Sequence, residues 1–159
     1  MGINKGKAFE AHFKENWEKT NPSSFLMRIY DTTNGYMGIK NLCDYVAYNK
    51  PNMFLMELKS TQQNTLPFTN ITQYDTLKEV VGIEGLRVGV IIWFITHDKV
   101  IYVPVKSIIQ MVADGKKSVN IKMLEEGIYP MIEIPSVKKR VYLDSDYSIL
   151  TNLKDKEGW

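Results

Sequence analysis

The stretch Met53–Lys59 constrains the fold of this chain more than any other part of its sequence. Its first four residues are all apolar, which is typical of a β-strand that is covered on both faces of a sheet. Glu57 and Lys59 then fall on one face, while Phe54 and Leu58 keep the other face apolar. A carboxylate at the end of such a strand is costly to bury unless a cation compensates its charge. The pattern therefore predicts a covered strand that ends in a charged site.

A second strand is predicted directly before this one, over Cys43–Tyr48. The polar, proline-containing segment Asn49–Asn52 predicts a hairpin with a loop of about four residues. Such a hairpin, in register, brings Asp44 beside Glu57. Two close carboxylates repel each other, which favours a metal ion between them. The alternative is a salt bridge, in which Glu57 pairs with Lys59 or another cation at a solvated strand end.

The remaining patterns predict an α/β or α+β domain with a mixed central β-sheet that is flanked by helices. Phe9, Phe13 and Trp17 recur at helical spacing and indicate a helix over residues 4–19. Their side chains form one apolar stripe, so we expect them in the core rather than stacked on nucleic-acid bases. The chain reads in order as a helix, three strands, a helix, two strands and a helix.

Weaker patterns complete the predicted domain. They indicate strands at 25–30, 87–96, 100–103 and 128–134, helices at 71–81 and 105–113, and a loop at 31–41. Thr69 or Asn70 is expected to cap the helix at 71–81. Residues 1–159 are expected to form a single domain, in which 150–159 is a flexible tail.

Composition favours a cytoplasmic protein without a membrane span. The chain is 44% apolar and 24% charged, and it lacks the run of about 18 apolar residues that a spanning helix needs. Met1–Lys7 is polar, unlike the apolar core of a signal peptide. Cys43 is the sole cysteine, which excludes an internal disulfide and a Cys-based zinc site.

The net charge of +2 neither requires nor excludes a nucleic-acid partner. A nuclease needs a local basic face rather than a basic whole. Basic residues do cluster twice, and the simplest interpretation of each cluster is a solvated face. The clusters are Lys5, Lys7, Lys14 and Lys19, and then Lys138, Lys139 and Arg140.

Three short segments carry a resemblance to a known family. They are Asn4–Glu10, then Cys43–Tyr45 with Met56–Lys59, and finally Asn64–Ile71. In this order and at this spacing they resemble the RecU Holliday junction resolvases of the PD-(D/E)XK nuclease superfamily. The resemblance covers about residues 4–105. It implies a restriction-endonuclease-like core, and the short chain suggests a phage or mobile-element version.

The sequence departs from this family in two places. Residues 31–41 are shorter than the region that forms the protruding stalk of the family, which leaves the mode of junction binding open. The His-Gln pair of the second helix is absent, with Tyr74-Asp75 in its place and Gln73 just before.

The resemblance implies a metal centre with a nearby cation. Asp44 and Glu57 would bind Mg²⁺ through carboxylate oxygens, with a further oxygen from the carbonyl of Leu58, and Mn²⁺ is a possible substitute. The metal would activate a water and neutralise charge on the phosphate. Lys59 would position the attacking water and stabilise the transition state.

Two further residues receive roles from the resemblance. Glu10, on the first helix, would hold a metal-bound water or a second ion, and the alternative is a solvent-facing helix residue. Gln73 would contact water or phosphate.

The resemblance thus implies a metal-dependent, structure-selective DNA endonuclease that resolves four-way junctions in recombination and repair. Because a resolvase cuts two strands symmetrically, we expect a homodimer. One alternative is another endonuclease of the superfamily that acts on duplex DNA, of the restriction or nicking type. The other is a catalytically silent DNA-binding module.

Overall fold

The computed structural model describes residues 4–30 and 41–153. The α-helices within them are α1 (Lys5–Thr20), α2 (Tyr74–Glu79), α3 (Val105–Ala113), α4 (Met123–Glu126) and α5 (Ser148–Thr151). The strands are β1 (Phe25–Arg28), β2 (Tyr45–Asn49), β3 (Asn52–Thr61), β4 (Thr65–Pro67), β5 (Leu86–Phe94), β6 (Lys99–Pro104), β7 (Ser118–Asn120), β8 (Ile132–Ile134), β9 (Ser136–Lys138) and β10 (Leu143–Ser145). Short 3₁₀ helices occupy Phe68–Asn70 and Ile95–His97. No helix in these ranges is both long and apolar enough to cross a membrane.

Six strands form a mixed central sheet in the order β1-β2-β3-β5-β6-β8. β3 and β5 are parallel, and the other pairs of the sheet are antiparallel. The connection between the parallel strands contains β4 and α2, as a parallel pair requires a long crossover. The predicted mixed sheet flanked by helices is confirmed.

The two faces of the sheet bury different sets of side chains. Phe54, Met56 and Leu58 of β3 join the core beneath α1, β10 and α5. Leu55 points the other way and joins a second core with residues of α2 and α3. This alternation is the period of two that the sequence of β3 predicts.

The aromatic stripe of α1 fixes the direction of the helix over the sheet. Phe9, Phe13 and Trp17 are all buried, as predicted. The ring of Trp17 contacts Phe54 near the start of β3 at 5.6 Å, and the ring of Phe9 contacts Trp93 near the end of β5 at 5.7 Å. α1 therefore runs antiparallel to β3, and its amino end lies at the carboxyl end of β3 and β5.

Two local predictions are wrong. Asn49 pairs with Asn52, so the β2–β3 loop has two residues rather than about four. Neither Thr69 nor Asn70 caps α2, because both lie in the preceding 3₁₀ helix. Ile71 is buried and takes non-helical dihedral angles (φ −93°, ψ 79°), which separates that 3₁₀ helix from a shorter α2.

The flexible tail predicted at 150–159 starts too early in the chain, because its first two residues belong to α5. Leu150 is buried in the core beneath α1, and the hydroxyl of Thr151 donates to Oδ1 of Asn21 at 2.6 Å. These contacts fix the start of the predicted tail to the domain. Residues 154–159, and most of the loop predicted at 31–41, lie outside the described residues.

We predict that Phe13→Ala lowers the free energy of unfolding by about 3 kcal/mol, because the fully buried ring leaves a cavity that the core cannot close. Urea denaturation followed by circular dichroism measures the change. Ile128→Ala is the control, since that side chain is 62% exposed and should change stability little. Equal stability of wild type and Phe13→Ala would contradict the burial.

Candidate active site

Asp44 is held against the carboxyl half of β3 by two hydrogen bonds. Its backbone N–H donates to the carbonyl of Met56 at 3.1 Å. Its side-chain Oδ2 accepts from the backbone N–H of Leu58 at 2.8 Å. Because Met56 and Leu58 flank Glu57 in the chain, these two bonds fix the Asp44 carboxylate beside Glu57, as the hairpin prediction requires.

Glu57 is buried, with 1% of its surface exposed. Nζ of Lys59 lies 3.3 Å from its Oε1. Its other oxygen, Oε2, is buried without a hydrogen-bond donor in the described part of the chain. The salt bridge considered from the sequence therefore exists, but it accounts for only one of the two oxygens.

The surroundings of Glu57 disfavour its charged form. Burial and, to a smaller extent, the Asp44 carboxylate together raise the pKa of Glu57 to about 7, although Lys59 acts in the opposite direction. The single ammonium group of Lys59 thus does not balance the negative charge of the two carboxylates. A divalent cation at this position would favour the charged form of both.

The oxygen donors at this site fit Mg²⁺. Residues 4–30 and 41–153 contain no group of three or more His, Cys, Asp or Glu that could hold a metal ion. Mg²⁺ does not need such a group, because it commonly binds through one or two carboxylates and keeps several waters. Asp44 and Glu57 supply two carboxylates, one with an unpaired buried oxygen, and the carbonyl of Leu58 follows directly in the chain.

Glu10 lies on α1, away from Asp44 and Glu57. Its carboxylate forms an ion pair with Arg28 of β1, and its backbone carbonyl accepts a hydrogen bond from the hydroxyl of Tyr45 at 3.4 Å. These groups lie on the face that α1 covers, whereas Glu57 points to the opposite face. Arg28 could not be identified from the sequence, because its position near Glu10 depends on its pairing with Tyr45 across β1 and β2.

Gln73 lies at the start of α2, where its hydrogen bonds are local. Its side-chain Oε1 accepts from the hydroxyl of Thr72 at 2.5 Å, and its carbonyl accepts from the N–H groups of Thr76 and Leu77. Within the described structure it makes no hydrogen bond with the carboxylates or the amine of the site. The structure therefore brings together Asp44, Glu57 and Lys59 and leaves Gln73 apart.

This architecture is the PD-(D/E)XK-type nuclease fold. Among solved structures, the chain is similar to Hjc, a Holliday junction resolvase from the archaeal hyperthermophile Archaeoglobus fulgidus. The TM-score is 0.50, with 18% identity over 64% of this chain and 78% of that chain. At this level of identity the likeness concerns the fold.

The sequence identifies a particular family within that fold. The model of the family described as RecU, Recombination protein U, matches residues 5–144. The chain therefore belongs to the RecU family, which confirms the resemblance that the three motifs carry. No curated protein sequence matches it significantly.

We predict that Glu57→Gln alters the pH dependence of stability in EDTA. Because the pKa of Glu57 is raised to about 7 in the folded protein, the wild type loses stability as pH rises from about 4.5 through 7. The loss is on the order of 3 kcal/mol at pH 8 and vanishes at acid pH. The variant lacks this loss, so its stability relative to wild type should rise between pH 5 and pH 8.

Urea unfolding at the two pH values measures the difference. Glu133→Gln is the matched control, because the Glu133 side chain is 48% exposed and pairs with Lys99. A Glu57→Gln effect of the same size at both pH values would show that the buried carboxyl does not titrate in this range.

Proposed function

We propose that this protein is a metal-dependent endonuclease that resolves four-way DNA junctions by symmetric hydrolysis of two phosphodiesters. The observation that carries the proposal is the buried Glu57 carboxylate, held between Asp44 and Lys59 with one oxygen unpaired. Membership of the RecU family and the fold shared with a resolvase support the same function.

Asp44 and Glu57, with the carbonyl of Leu58, would hold Mg²⁺, and Mn²⁺ suits the same hard oxygen donors. The bound cation would neutralise charge on the phosphate and lower the pKa of a water. The N–H of Leu58 holds the Asp44 carboxylate in place for this task.

Lys59 would act as a fixed cation. Its side chain is 26% exposed, and its ammonium group lies 3.3 Å from Glu57, so it borders both the buried carboxylate and solvent. From this position it can orient the attacking water and stabilise the charge that develops on the phosphate.

Glu10 and Gln73 would have secondary roles. Glu10 would hold a second ion or a water, which requires its carboxylate to exchange its ion pair with Arg28 for the new partner. Gln73 would contact water or phosphate once its side chain leaves Thr72.

We predict that Asp44→Asn or Lys59→Ala abolishes cleavage and leaves DNA binding largely intact, because these groups act on the reacting phosphate. A labelled four-way junction and a matched linear duplex are incubated with each protein in Mg²⁺ and in EDTA. Paired symmetric cuts in the junction alone, lost in EDTA and in Lys59→Ala, are the expected result. Lys78→Ala is the control, since that lysine pairs with Asp75 on α2.

Other outcomes of this experiment separate the alternatives. Equal cutting of the duplex would keep a nuclease and reject the junction preference, in favour of a restriction or nicking type of enzyme. No cutting of either DNA would favour a catalytically silent DNA-binding module. Loss of binding as large as the loss of cleavage would reject the assigned roles.

We further propose a homodimer whose two subunits meet at the β1 side of the sheet. Four apolar side chains are exposed there, although apolar surface of this kind is normally covered: Phe25, Met27, Tyr48 and Met53. Phe25 pairs with Tyr48, which pairs with Met53, so three of them form one row across β1, β2 and β3. A second copy of the chain suits the two-fold symmetry of junction cleavage.

We predict that Phe25→Glu/Met27→Glu shifts the protein from dimer to monomer in sedimentation velocity at micromolar concentration, because charges in an apolar interface resist desolvation. Ile83→Glu/Ile128→Glu changes exposed apolar residues elsewhere and should leave a dimer. A monomeric wild type that still cleaves junctions would overturn the dimer.

A further inference from the structure

A pocket of about 340 Å³ lies between the first turn of α1, the end of β5 and the loop from β9 to β10. Lys5 and Ala8 of α1, Trp93 of β5, and Lys139 and Arg140 of the loop contribute to its wall. None of these residues belongs to the catalytic group described above. Lys5 of the first basic cluster thus lies beside the second cluster in the fold.

The charge of this pocket is only partly compensated. Lys138 pairs with Asp98 at 2.8 Å. Lys5, Lys139 and Arg140 make no ion pair with any residue of the described ranges. The first turn of α1 contains no acidic residue, so the positive end of the helix dipole adds to the charge. The pocket therefore favours an anion.

The apolar part of the wall suits more than a bare phosphate. Tyr142 stacks on His12 at 4.2 Å between ring centres, with 12° between the planes. Val141 and Leu143 add aliphatic surface. The volume and this surface fit the sugar that accompanies a phosphate in a nucleotide.

The register of β3 and β5 places Trp93 and Lys59 at the same end of the sheet. Lys59 is paired with Ile92, and the next pair is Ser60 with Trp93. The Cα atoms of Lys59 and Trp93 are therefore about 6 Å apart, from the usual strand spacing and rise. Their side chains point to opposite faces, so a DNA strand that crosses this end of the sheet would meet both.

We propose that this pocket binds one phosphate and sugar of the DNA near the phosphodiester that is cut. Lys139 and Arg140 supply the charge for the phosphate, and the ring of Tyr142 supplies the apolar wall for the sugar. The inference rests on the proposed function for the identity of the DNA substrate, and it adds a binding subsite on the other face of the sheet.

Binding is measured in EDTA by fluorescence anisotropy, with a labelled four-way junction and a labelled duplex over a range of salt concentrations. Lys139→Ala/Arg140→Ala should raise the Kd about tenfold near ~0.1 M salt and reduce the slope of log K against log salt by about one, because the pocket holds one phosphate. Lys50→Ala/Lys106→Ala is the control, because it removes the same charge from exposed positions at the opposite end of β3 and β5.

Tyr142→Ala tests the apolar wall separately, since it removes the ring that stacks on His12 and leaves the charge of the pocket unchanged. We expect a higher Kd in EDTA with an unchanged salt slope, and circular dichroism checks that the variant is folded. A Kd and a salt slope that match the control in the double variant, together with a wild-type Kd in Tyr142→Ala, would overturn the pocket, even if junction cleavage is intact. Absent cleavage by a wild type that binds DNA through these residues would instead overturn the proposed function alone.

Discussion

The parallel pairing of β3 with β5 is the constraint on which the rest of the structure depends. It runs without interruption from Met53 opposite Leu86 to Thr61 opposite Phe94. With β2 on its other side, β3 is central in the sheet and covered on both faces. Glu57 is buried because it belongs to this strand. Burial destabilises its charged form, and a cation bound at its unpaired oxygen would compensate that charge.

The central site could be predicted because its contacts are local. Asp44 and Glu57 belong to one hairpin, so an antiparallel register and a period of two bring them together without knowledge of the remaining chain. The aromatic stripe of α1 could be predicted for a similar reason, because Phe9, Phe13 and Trp17 recur at helical spacing within one long helix. The error in the hairpin loop did not disturb the site, since the strands lengthened symmetrically to Asn49 and Asn52.

Contacts between segments that are distant in the chain could not be predicted from the sequence. The ion pair of Glu10 with Arg28 depends on how α1 packs against an edge strand, and no local pattern encodes that packing. Lys5 and Lys139 are far apart in the chain and meet only through the direction of α1. The carboxyl-terminal strands β7–β10 have three residues each, too few for a period of two to be recognised.

The direction of α1 determines which end of the sheet carries the basic pocket. If the helix ran parallel to β3, its amino end and Lys5 would lie at the β2–β3 turn, far from Lys59. The contacts of Phe9 with Trp93 and of Trp17 with Phe54 exclude that arrangement. The aromatic stripe therefore does more than stabilise the core, because it fixes which end of the sheet receives the positive end of the helix. The carboxylates of Asp44 and Glu57 on one face and the basic pocket on the other then lie at the same end of the sheet, where a polyanion would be attracted to the pocket while the buried carboxylates require a cation of their own.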